Sequence, residues 1–156
     1  MADRMRRRGE RMMACTLLVA SWGCAHGYAI KLSTQPLDGV DPAVVGELSE
    51  AATSHGLLAS MVAHRNTDSP DLKLTSSFSK EISTRPHDAI VVDIVYSDEQ
   101  SSKQDITVFI ENFASGMEPP VKQQIDAIAD DCYALLVKAV GPDKVAIERG
   151  PARRPW

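Results

Sequence analysis

The side chains able to do chemistry in this chain are few, and their spacing does not bring them together. There are four histidines, His26, His55, His64 and His87, and none stands at ligand spacing from another. His87-Asp88 has the composition of a catalytic pair. It follows Arg85-Pro86 directly before a strand-like run, where neighbouring side chains point to opposite faces, so a loop with a local hydrogen bond explains it better. Ser76, Ser77 and Ser79 cluster around Phe78, yet no base stands where it would activate a hydroxyl. They read as the polar face of an edge strand. Asp130-Asp131 reads as a charged helix surface, because adjacent helix residues do not face each other. The chain has no Gly-x-Ser-x-Gly, no phosphate-cradling glycine loop, no His-Glu-x-x-His and no Cys-x-x-Cys. No catalytic residue, metal ligand set or cofactor is therefore assigned, and a binding role is favoured over an enzymatic one. The enzymatic alternative is a periplasmic hydrolase. It requires polar side chains that converge in a pocket within hydrogen-bond reach, for instance His64 or His87 near Ser79 or Asp93.

The remaining chemistry is cysteine chemistry. Five arginines, Arg4, Arg6, Arg7, Arg8 and Arg11, precede an uncharged run from Met12 to Gly23, and Cys24 stands at its exit. Positive segment, short apolar segment and small exit residue form the layout of an export signal. A spanning helix needs about 18 or more apolar residues. The run is shorter, and His26 and Gly27 follow it. In this segment, ending Gly23-Cys24, the chain resembles bacterial lipoprotein precursors, over about its first 24 residues. The resemblance implies removal of residues 1–23 and acylation of Cys24, which would anchor the mature chain in a membrane. It also implies a side: Ala25 is not the aspartate associated with inner-membrane retention, so the periplasmic face of the outer membrane is the expected location. Plain secretion after cleavage and an uncleaved anchor or helix are the rival readings. Cys15 lies within the signal, so Cys132 is left as the one ordinary thiol. That count excludes a disulfide scaffold and a cysteine metal site. Cys132 falls on the apolar stripe of a helix and reads as a small buried hydrophobe.

Charge narrows the partners. The chain holds 17 Lys and Arg against 21 Asp and Glu, a net of −4. Residues 1–23 account for five arginines, Asp3 and Glu10, so their removal leaves 12 basic and 19 acidic residues, a net of −7. Nucleic-acid binding rests on phosphate neutralisation by a basic surface, so it is not expected. Membrane attachment would come from the covalent lipid and not from a basic patch.

The elements that must position any site are legible from periodicity. Residues 24–149 form one domain, and Gly150 to Trp156, rich in proline, reads as a flexible tail. Ser33 to Asp41 and Asn66 to Asp71 read as loops. A first helix runs from an Asp41 cap and Pro42 to Gly56, with Val44, Val45, Leu48, Ala51 and Ala52 as its stripe. A second follows Pro119-Pro120 and stops at Gly141-Pro142, with Val121, Ile125, Ile128, Cys132, Leu135, Leu136 and Ala139 on one side. Strand patterns cover Tyr28 to Leu32, Leu57 to Ala63, Leu72 to Phe78, Ala89 to Tyr96, Ile106 to Phe113 and Val145 to Glu148. The order β-α-β-β-β-β-α-β predicts an α+β two-layer sandwich, a mainly antiparallel sheet of four to six strands with two helices on one face.

One surface stands out. The run Ala89 to Tyr96, paired with Ile106 to Phe113, is apolar on both faces. Ile90, Val92, Ile94, Tyr96, Ile106, Val108 and Ile110 share the face that the helices would cover. Val91, Val95, Phe109 and Phe113 share the other, interrupted by Asp93, Thr107 and Glu111. This second face is the candidate surface for a protein partner or a second copy, unless another part of the chain covers it. A small apolar-ligand carrier is a further alternative. It would need a cavity between the helices and the Ile90 to Ile110 face.

Overall fold

The structure is a computed structural model describing residues 27–61, 73–84, 88–98, 101, 103–112 and 118–151. The segment expected to direct export, with Cys15 and Cys24, the stretch Asn66 to Asp71 expected as a loop, and His26, His64, His87 and Phe113 lie outside the described residues.

Among the described residues, six strands and two α-helices follow one another in the expected order: β1 (Tyr28–Thr34), α1 (Ala43–Ser54), β2 (Leu58–Met61), β3 (Lys73–Glu81), β4 (Ala89–Ser97), β5 (Ile106–Asn112), α2 (Pro119–Val140) and β6 (Val145–Gly150). The strands form one sheet in the order β2-β3-β4-β5-β1-β6, and every neighbouring pair is antiparallel. The chain thus folds as an α+β sandwich with its order β-α-β-β-β-β-α-β. The strand order sets one correction. β3 lies inside the sheet between β2 and β4, so Ser76, Ser77 and Ser79 are not on an edge strand.

The core follows from the period-2 pattern of the strands and the helical stripes. Ile30 and Leu32 of β1, Phe78 of β3, Ile90, Val92 and Ile94 of β4, and Ile106, Val108 and Ile110 of β5 are buried. Against them pack Val44, Leu48 and Ala52 of α1, and Ile125, Ile128, Ala129, Cys132 and Leu136 of α2. Each large aliphatic side chain buried here contributes about 1.5–3 kcal/mol of transfer free energy. Ala139, counted on the stripe of α2, is exposed, and Ala129 is buried instead. Both lie at the stripe's margin, where the angle at which the helix meets the sheet decides burial.

The helix ends use the signals in the sequence. The Asp41 carboxylate accepts the N–H of Ala43 at 2.9 Å, while Pro42 already has helical dihedrals. Gly56 follows α1 at φ +79° and Gly141 follows α2 at φ +91°, conformations that L side chains adopt only with strain. β1 continues two residues past its expected end, to Thr34, because Ser33 and Thr34 pair with Ala146 and Val145 of β6. β6 likewise reaches Gly150, opposite Ala29, so this residue belongs to the sheet and not to the tail.

Candidate functional site: the face of the sheet away from the helices

Alternation along each strand puts one set of residues on the side opposite the helices. The register lines them up in rows across five strands. The central row reads Ser77, Asp93, Phe109, Lys31 and Glu148, from β3 through β4, β5 and β1 to β6. One flanking row holds Ser79, Val91, Glu111, Ala29 and Gly150. The other holds Thr75, Val95, Thr107, Ser33 and Ala146. Val91, Val95 and Phe109 thus lie together, as their parity in the sequence requires. All three are half-buried, and none belongs to the hydrophobic core or packs against it. Phe109 does not stand out as an exposed aromatic, because Asp93 and Lys31 flank it directly on the neighbouring strands.

The polar members of the central row are engaged. The Ser77 hydroxyl donates to Asp93 Oδ1. Lys31 Nζ donates to Glu148 Oε1 at 3.0 Å. Glu111 is buried to 8 % exposure beside them. The face is concave here: a depression of about 720 Å³ is lined by Ala29, Lys31, Thr75, Asp93, Val95, Phe109, Glu111 and Glu148, and closes at Gly150 and Pro151. Chemically it offers a small apolar centre, Val95 and Phe109, framed by fixed charges of both signs.

A second depression, of about 380 Å³, opens where the first half of α1 meets the ends of β3, β4 and β5. Val40, Val45, Leu74, Tyr96 and Ile106 give it apolar walls, and Asp41, Asp98 and Asp105 lie at it. Gln104 braces this end of the fold. Its backbone exchanges hydrogen bonds with Leu37, at 2.8 and 2.9 Å, and its side-chain oxygen accepts the N–H of Val40 at 2.5 Å. Burial pushes the Asp105 carboxyl up. The Ser97 hydroxyl and Lys73 Nζ (2.9 Å) hold it down more strongly, so its net displacement is below the ordinary carboxylate value.

Of the other residues singled out for chemistry, His55, Ser79 and Cys132 are described. His55 ends α1, and its Nε2 lies 2.8 Å from Asp131 Oδ2 on α2. Its carbonyl accepts from Gln124 Nε2 at 3.1 Å, so it fastens one helix to the other. Ser79 stands opposite Val91, one row away from Asp93, which is bound by Ser77. The Cys132 thiol is fully buried, and burial, with Asp131 nearby, pushes it up to about 12. Among the described residues, no three His, Cys, Asp or Glu side chains are grouped to hold a metal ion. None of the described helices is long and apolar enough to cross a membrane. The Ile90 to Ile110 face is filled by the helices along most of its length. Tyr96 and Ile106, at one end, border the second depression.

Fold and surface together define the class: a two-layer α+β domain with helices on one side of its sheet and a concave, mixed apolar and charged surface on the other. No family model matches the sequence, and no curated protein matches it.

Proposed function

We propose that this chain is an envelope lipoprotein, tethered to a membrane through acylated Cys24, which binds a protein partner on the sheet face that carries Val91, Val95 and Phe109. The observation that carries the binding part is the central row, where Phe109 sits between Asp93 and Lys31 on a concave surface that no described helix covers. A half-buried aromatic inside a rim of fixed charges is how protein interfaces are built, with a small apolar centre and a polar edge. The occupant is a protein and not a lipid tail. A hydrocarbon chain laid beside Val95 and Phe109 would strip water from Asp93 and Lys31 without replacing their hydrogen bonds. The tether rests on the arginine cluster, the short apolar run and Cys24. The periplasmic side of the outer membrane is the location that Ala25 favours.

Two measurements on the full chain in its own cells test the two parts. For the tether, the mass of the native N-terminus should carry diacylglycerol and acyl increments that vanish in Cys24→Ala; an unmodified N-terminus overturns it. For the binding face, a photo-crosslinking residue is placed at Phe109 and, separately, at Lys138 on the exposed side of α2. A discrete adduct with one identified protein from Phe109 alone, lost when Val95→Asp is added, is the expected result. Equal adducts from both positions, or none from Phe109, remove the proposal. An adduct of twice the chain's own mass would make the face a self-association surface instead.

A second reading has its own observation. The 380 Å³ depression has the size and the apolar walls of a small-ligand site. A carrier would show saturable methyl shifts at Val45 and Ile106 on titration with an apolar amine; shifts that grow linearly without saturating exclude it.

A further inference from the structure

The two edges of the sheet are not alike. β2 is four residues long, and its pairing with β3 is broken by an irregularity between Ala59 and Met61. Short, irregular edges resist pairing with another chain. β6 is six residues long, and its register with β1 is unbroken from Val145 to Gly150. It holds no proline and no lysine, and Ala146, Ile147, Glu148 and Arg149 are all exposed. Among the described residues, nothing pairs with its outer side. Alternate residues of β6 therefore turn an N–H and a C=O outward, with no bulge to spoil the ladder. The large hydrophobics exposed among the described residues are Leu58 at 75 % and Ile147 at 44 %, one on each edge strand.

We infer that β6 is a self-association edge, pairing antiparallel with β6 of a second copy about a two-fold axis at Ile147. Three observations select that arrangement. A two-fold axis perpendicular to the sheet keeps the helices of both copies on one side, and only an axis through a residue lets side chains of the same face oppose each other. Centred on Ile147, the register sets Ile147 against Ile147, Ala146 against Glu148 and Val145 against Arg149. Two exposed isoleucines are then covered, and no like charges meet. Centred on Glu148, the same operation would oppose two carboxylates, which destabilises a cross-strand pair. Glu148 is also already held by Lys31 on its own face, and Arg149 by Asp126 on the other, so neither needs the partner for its charge. The pairing joins the two sheets into one and brings both concave faces to the same side. It does not depend on the tether or on what those faces bind.

Disulfide trapping in the full chain tests the edge and its register together. Residues directly opposite on antiparallel strands have Cα atoms within disulfide range, whereas those offset by two residues lie at or beyond its limit. Under mild oxidation Ile147→Cys should form a covalent dimer about tenfold faster than Glu148→Cys or Lys138→Cys, with the unsubstituted chain as the baseline for its own cysteines. Equal rates at the three positions overturn the edge, and fastest trapping at Glu148 overturns the register. Native mass spectrometry of the unsubstituted full chain in detergent is the second readout. A dimer that becomes monomer in Ile147→Lys supports the pairing, because an edge lysine opposes strand addition. A monomer at every concentration removes it.

Discussion

Arg149, one residue from the end of β6, donates from Nη1 to Asp126 Oδ1 of α2 at 2.8 Å and to the Tyr28 hydroxyl of β1 at 3.1 Å. Lys122, one turn before Asp126, donates to its other oxygen, Oδ2, and lies 5.4 Å from the centre of the Tyr28 ring. The last strand, the first strand and the long helix are thereby joined at one corner. These groups are partly exposed, so solvent screens them, and the Arg149–Asp126 pair is worth about 0.2–1 kcal/mol. A double-mutant cycle of Arg149→Ala and Asp126→Ala, followed by urea denaturation, should return a coupling energy in that range. A coupling indistinguishable from zero would make the corner a surface decoration.

Acid sensitivity follows from the same corner and from Asp105. Lys122, and then Arg149, hold the Asp126 carboxyl below the ordinary value, and Asp105 is also lowered on balance. A carboxyl whose folded value is depressed stabilises the fold above its unfolded value, about 3.9, and that stability is lost as pH falls through the folded value. The stability lost on Asp126→Asn should therefore be present in full at neutral pH and shrink below about pH 4. Chemical denaturation at a series of pH values reads this. A difference that stays constant into strong acid would show that the ion pairs carry none of it.

Cys132 should behave as a core residue and not as a reagent. With its thiol fully buried and pushed up to about 12, almost no thiolate forms at pH 8. Modification by a disulfide reagent should be slow in the native protein and become fast at the urea concentration where the fold melts. Rapid labelling of Cys132 in native buffer would contradict its placement against the sheet.

The core should tolerate truncation poorly. Ile128 is fully buried where α2 meets the sheet. Ile128→Ala should cost about 2–5 kcal/mol, since removed methyl groups leave a cavity that the sheet cannot collapse into. The neighbouring Asp130 is exposed, and Asp130→Ala should stay within about 0.5 kcal/mol. Thermal unfolding of the two variants side by side measures the contrast.

Much of this was legible in the sequence, because the information is local. The helical stripes of α1 and α2, the alternation in β4 and β5, and the stop signals at Gly56 and Gly141 each depend on residues within a few positions of one another. The parity of β4 and β5 already grouped Val91, Val95 and Phe109 on one face. The central row was not legible. It depends on β1 entering between β5 and β6, which sets Lys31 opposite Phe109 and Glu148 opposite Lys31 across 117 residues of chain. The interior place of β3, the exposure of Ala139 and the burial of Ala129 also depend on how elements meet.

The sequence by itself determined the element order, the helix ends, the two-sided apolar character of the β4–β5 hairpin and the burial of Cys132. Each follows from periodicity or from the conformational limits of single residues. Tertiary structure alone decided which strands became edges, which charges frame Phe109 and how β6 displays Ile147. Those are long-range matters: antiparallel pairing is set by register between distant segments, and no local pattern encodes which segment will arrive.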